Sequence, residues 1–86
     1  MNPRPAPEAL GRDAGDECLF RDADGMRIHV LNRTAREIYL LCDGSRSSAE
    51  VAGELAERYM VDPGTARADV DGLVELLVRL GILSRD

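Results

Sequence analysis

Acid–base and nucleophilic chemistry needs side chains that change protonation near neutrality, and this chain has few: one histidine, His29, and two cysteines, Cys18 and Cys42. A hydrolytic or transfer site requires a nucleophile, a base and an orienting group that converge, and one histidine would have to serve alone. His29 falls in the run Met26-Arg27-Ile28-His29-Val30. Alternation there sets Met26, Ile28 and Val30 toward a core and turns Arg27 and His29 outward, so His29 reads as a solvated rim residue rather than a general base. Neither cysteine has a second Cys or His at metal-ligand or redox spacing, so both read as small core hydrophobes. Glu50, Glu54 and Glu57 fall along the outer side of a helical pattern, where carboxylates serve solubility. The eight glycines are dispersed, so no loop gathers enough backbone amides to cradle a phosphate. These residues predict no enzyme, no cofactor and no metal site.

Composition narrows the partners. Eighty-six residues make one domain with one modest core and little material for a deep cleft. Apolar residues are 44% of the chain but aromatics only 3%, so the core must be aliphatic and mainly helical. All eleven basic residues are arginine, yet the formal net charge is -5, which opposes attraction to a phosphate backbone. No stretch approaches the roughly twenty apolar residues of a membrane span, and the N-terminus lacks signal-peptide layout. The expected setting is the cytoplasm.

The elements that must position any site follow from periodicity. Residues 1–16 form a Pro- and Gly-rich arm, expected to be loose, with at most a short first strand at Glu8 to Arg12. From Glu17 the pattern is strand-like: ECLFRD and MRIHVLN flank Ala23, Asp24 and Gly25, the turn of an antiparallel hairpin. Past Asn32 the period becomes helical. Thr34 with Glu37 has capping-box spacing, and Ala35, Ile38, Leu41 and Cys42 share a face that ends at Asp43-Gly44. Ser47 with Glu50 repeats the box ahead of Val51, Ala52, Leu55, Ala56 and Tyr59. Asp62-Pro63 starts a third helix running to Leu80. Ala66, Val70, Leu73, Leu77 and Leu80 are its core stripe, which Val74, Leu76 and Val78 widen past half the circumference. Gly81 stops it, and Ile82 and Leu83 fold back as a hydrophobic cap.

The fold class expected is α+β, winged helix-turn-helix-like: an N-terminal three-stranded antiparallel sheet, then three helices. Such a fold can read DNA with its last helix. Between Ser48 and Leu80, however, three arginines face seven acids, so a DNA-binding regulator is the minor reading. A sheet edge beside a broadly apolar helix suits another partner, an extended peptide that adds as a further strand. The wide stripe equally suits plain packing against the first two helices and the arm, or self-association.

The stretches LNRTAREIYLLCDGSRSSAEVAGELAERY and DVDGLVELLVRLGIL closely resemble the PqqD family of pyrroloquinoline quinone biosynthesis. Leu31-Asn32 with Thr34-Ala35, then Leu41-Cys42-Asp43-Gly44, then Asp69-Val70 before a Leu-rich helix ending at Gly81 carry the resemblance. It implies a winged-helix peptide chaperone, residues 17–86 here, that recognises the leader of a ribosomally made, post-translationally modified peptide and presents it to a radical S-adenosylmethionine enzyme. Similar starts also belong to recognition proteins of lasso-peptide and other pathways, where a protease receives the leader. In the family the leader lies along the third strand against the third helix. Matched residue by residue, the resemblance implies a peptide site of Arg27, Ile28, His29, Val30 and Leu31 on the strand and Asp69, Val70, Leu73, Leu76 and Leu77 on the helix.

Overall fold

The structure, a computed structural model, describes residues 2–7, 9, 11–21 and 26–85. Its elements run β1 (Arg4–Pro5), β2 (Gly11–Ala14), β3 (Glu17–Arg21), β4 (Ile28–Leu31), α1 (Arg33–Leu41), α2 (Ser48–Tyr59), α3 (Pro63–Arg79) and β5 (Leu83–Ser84). A three-stranded antiparallel sheet in the order β2-β3-β4 is followed by three helices, and β1 pairs with β5 in a separate two-stranded sheet. The fold is thus α+β. The strand expected within Glu8 to Arg12 is β2, which begins at Gly11 and runs on to Ala14; Glu8 and Leu10 lie outside the described residues. So do Ala23, Asp24 and Gly25, where the β3–β4 turn is expected.

β3 sets the sheet's orientation. Cys18 and Phe20 are buried and Glu17 and Arg21 exposed, and the register puts Leu31 opposite Cys18 and His29 opposite Phe20. Directly opposed residues share a face, so the core side of β4 carries His29 and Leu31. This reverses the expected phase. Ile28 and Val30 are 63% and 56% exposed and Met26 is exposed too, while Leu31 is buried and His29 is partly buried instead of outward. The cause is the buried pair Cys18 and Phe20: with β3 fixed by its aromatic, the period of two leaves β4 no choice. The ring of Phe20 meets Tyr39 of α1 edge-on, with centroids 4.9 Å apart. On its other side a Cβ at the paired Gly11 would stand 2.6 Å from ring carbons, so only glycine lets the ring lie there.

Each helix starts at a cap. Asn32, not Thr34, caps α1: its side-chain oxygen accepts from the Ala35 amide at 2.9 Å and its carbonyl accepts from the Arg36 amide at 2.8 Å. Thr34 is already inside the helix, so the Thr34–Glu37 box does not form. The Ser47–Glu50 box does, with the Glu50 amide donating to Oγ of Ser47 at 3.1 Å and the Ser47 amide donating to the Glu50 carboxylate at 2.8 Å. Asp62 accepts from the Thr65 amide at 3.1 Å, with Pro63 opening α3. The core gathers Ile38, Leu41 and Cys42 from α1, Val51, Ala52, Leu55 and Ala56 from α2, and Ala66, Val70, Val74 and Leu77 from α3, closed by Ile82 and Leu83.

Part of the arm pairs with distant backbone. Arg4 and Pro5 pair with Ser84 and Leu83, the Ala6 amide donates to the Ile82 carbonyl at 3.0 Å, and the Gly44 amide donates to the Pro3 carbonyl at 3.0 Å. Gly44 has φ +92°, a left-handed conformation that suits glycine at the exit of α1.

Candidate peptide-binding site

β4 ends the sheet: β3 occupies one side of it, and no strand among the described residues pairs with the other. A sheet side to which no described strand is added is the geometry that accepts a further strand. Arg27 precedes β4 and is exposed. Ile28 and Val30 stand on the solvent face, His29 on the core-side face, and Leu31 is 5% exposed within the core. Of the five strand residues, Leu31 therefore supports the site from beneath instead of presenting a side chain.

The helix residues divide in the same way. Val70 and Leu77 are 0% and 1% exposed and belong to the core. Asp69, Leu73 and Leu76 follow at i, i+4 and i+7 and continue to Leu80, so they form one stripe along α3. Leu73 and Leu80 are partly buried against the core, while Leu76 is 44% exposed and Asp69 is exposed. Val74 and Val78, which widen the sequence stripe, turn to the core side, Val74 fully buried and Val78 packed against it. Leu80 is the stripe member the family match omits; the i+11 step from Asp69 is the signal that finds it. β4 packs on β3 and α1, and α3 chiefly on α2.

The other flank of α3 is polar. Arg67, Asp71 and Glu75 line an open depression of about 640 Å³ with Ser47, Ser48, Ala49 and Arg85, and Arg67 is already paired with Asp71 at 2.9 Å. Its open form and mixed charge are unlike a ligand pocket, and it lies on the side of α3 away from the leucine stripe.

The titratable groups fit a structural surface. Burial pushes the Cys42 thiol up to about 11, and burial followed by the neighbouring Asp13 also raises Cys18; both thiols are free and buried, as expected for core hydrophobes. Glu37 accepts from the Tyr59 hydroxyl and from Arg58 at 3.3 Å. The Tyr59 bond foremost, then Arg58, holds the Glu37 carboxyl below its ordinary value, tying α1 to the end of α2. Among the described residues, no group of three His, Cys, Asp or Glu could hold a metal, and no helix is long and apolar enough to cross a membrane.

Comparison with known proteins bears on family and fold. The family model for coenzyme PQQ synthesis protein D (PqqD) matches residues 19–83. No curated protein matches the sequence. TbiB1, solved in complex with the TbiA(beta) leader peptide, is similar with a TM-score of 0.80 and 16% identity over 96% of this chain and 99% of that one. The PqqD truncation of Methylobacterium extorquens PqqCD, described as a functional and stand-alone recognition element for ribosomally synthesised and post-translationally modified peptides, gives 0.72 and 24% identity over 98% of this chain and 89% of that one. At these identities the two structures speak for the shared fold.

Proposed function

This chain belongs to the PqqD family, and from that membership we propose that it is a non-catalytic recognition element, binding the leader of a ribosomally made precursor peptide and presenting it to a modifying enzyme. The observation that carries the reading is the side of β4 to which no described strand is added, in a chain whose third helix keeps the partly exposed stripe Asp69, Leu73, Leu76. A leader entering there as an extra strand extends the ladder of β4, and its side chains supply the apolar surface that Leu76 lacks. Arg27 to Val30 and Asp69, Leu73 and Leu76 make the contacts, with Leu31, Val70 and Leu77 holding them in place. The two fold relatives support the reading, one solved with a leader bound and the other described as a stand-alone recognition element.

In this proposal residues 17–86 are a recognition domain of the winged helix-turn-helix type, working in the cytoplasm behind the arm of residues 1–16. The enzyme served is a radical S-adenosylmethionine enzyme, as the family's place in pyrroloquinoline quinone biosynthesis implies. No bond is made or broken by this chain. Its contribution is effective concentration: a protein that holds both leader and enzyme converts their encounter into an intramolecular one.

The test is an NMR titration of labelled protein with the leader of the precursor encoded beside its gene. Shifts confined to the amides of residues 26–32 and 66–80, with newly slowed hydrogen exchange at alternate β4 amides, are expected. A leader that binds elsewhere, or leaves β4 exchange unchanged, overturns strand addition.

A further inference from the structure

The solvent face of the sheet is built in an unusual way for an edge. The register sets Arg21 beside Ile28 and Arg12, Leu19 and Val30 in one row, so Leu19, Ile28 and Val30 form an apolar patch on the side away from the helices. Ile28 and Val30 are 63% and 56% exposed, and Leu19 is partly buried. A solvent-facing edge strand is ordinarily blunted at such positions with charge, yet here both are β-branched and apolar. The patch adjoins the side of β4 to which no described strand is added, and a strand cannot add to that side without placing every second residue on this same face.

Resting on the leader-binding reading, we propose that the leader segment docked on β4 is apolar at three consecutive positions, not in alternation. The first and third pack on Ile28 and Val30 outside, and the second points inward on the core-side face, beside His29. A leader chosen by the core-side face of the strand alone would alternate apolar with polar residues, because its outer positions would meet water. With Ile28 and Val30 on that face the outer positions are read as well, and β-branched or aromatic side chains fit them best. The site thereby reads both faces of one strand.

The experiment is a display selection of random nonapeptides on the wild-type protein and on the double variant Ile28→Thr, Val30→Thr, which keeps branched side chains and removes apolar surface. Wild-type selections are expected to enrich three adjacent apolar residues, with β-branched or aromatic ones at the outer two positions. The double variant is expected to keep only the middle preference and to bind a wild-type-selected peptide roughly tenfold more weakly, about two to fivefold for each lost cross-strand pair. Polar outer positions in the wild-type selection, or identical outer preferences on both proteins, overturn the inference while leaving leader binding intact. If no peptide is enriched, or enriched peptides leave β4 amide exchange unchanged, strand addition itself has failed, and the inference with it.

Discussion

Leu76 and Leu77 are neighbours in sequence with opposite duties, and truncating each to alanine separates binding from folding. Leu77 is 1% exposed and Leu76 44%. Full burial of a leucine side chain stabilises by about 1.5–3 kcal/mol, so the part of Leu76 still wet in the free protein leaves roughly 1 kcal/mol for a partner to capture, a fivefold change in Kd. Leu76→Ala is therefore expected to weaken leader binding about fivefold by fluorescence anisotropy and to move the urea midpoint little, since alanine suits the helix. Leu77→Ala should cost about 2–5 kcal/mol of stability through the cavity it leaves, a large share of the 5–15 kcal/mol typical of a small domain. Its midpoint should fall steeply, while the surviving folded fraction keeps near wild-type affinity. The reasoning fails if Leu76→Ala leaves affinity unchanged with the fold intact, or if it lowers the midpoint as far as Leu77→Ala does.

Three further outcomes test the framework. Asn32→Ala should destabilise the protein by about 1 kcal/mol in urea unfolding through loss of the α1 cap, whereas Thr34→Ala, two residues later and exposed, should change little. Gly11→Ala should cost about 1–3 kcal/mol, read as a lower melting temperature, because the new methyl group meets the buried Phe20 ring. The Glu37 carboxyl lies below its ordinary 4.5 in the fold, so its contribution is complete above that value and is lost as pH falls through the lower, folded one. The melting-temperature gap between wild type and Glu37→Gln should accordingly be constant near neutrality and close only in acid.

Helices were readable from sequence because both their signals are local. The Ser47–Glu50 box and the Asp62-Pro63 start each lie within one turn, and the aliphatic period marks the buried side. α1 shows the limit: Asn32 and Thr34 both have capping chemistry, and the choice between them fell to the Asn32 carbonyl, which already accepts the first helical bond. β4 shows a deeper one. The rule that apolar residues point inward puts Ile28 and Val30 in the core, and it fails because the phase of β4 is inherited from Cys18 and Phe20 across the ladder. Leu31 of the matched strand went to the core with it, and the outer face acquired an apolar patch. Val70 and Leu77 are core for a separate reason, their place on the buried stripe of α3. The β1–β5 pair was invisible for another reason: two-residue strands have no period, and their partners lie at opposite ends of the chain.

The two edges of the main sheet make the functional argument sharper. Both are open to edge-to-edge association, and both belong to a chain whose net charge of -5 already discourages it. β2, with sequence GRDA, is exposed throughout and carries Arg12 and Asp13, the latter tied to Arg36 at 3.2 Å, so that edge is charged and braced. At its outward positions β4 carries Ile28 and Val30 instead, and presents both to water. If solubility alone had shaped the sheet, the two edges would be blunted alike. The asymmetry needs a cause that acts on β4 and not on β2, and a peptide strand that periodically covers β4 is such a cause. Its shortness, four residues, fits the same account: it is enough for a leader to register its side chains, and a short apolar edge is a smaller template for another copy of the chain.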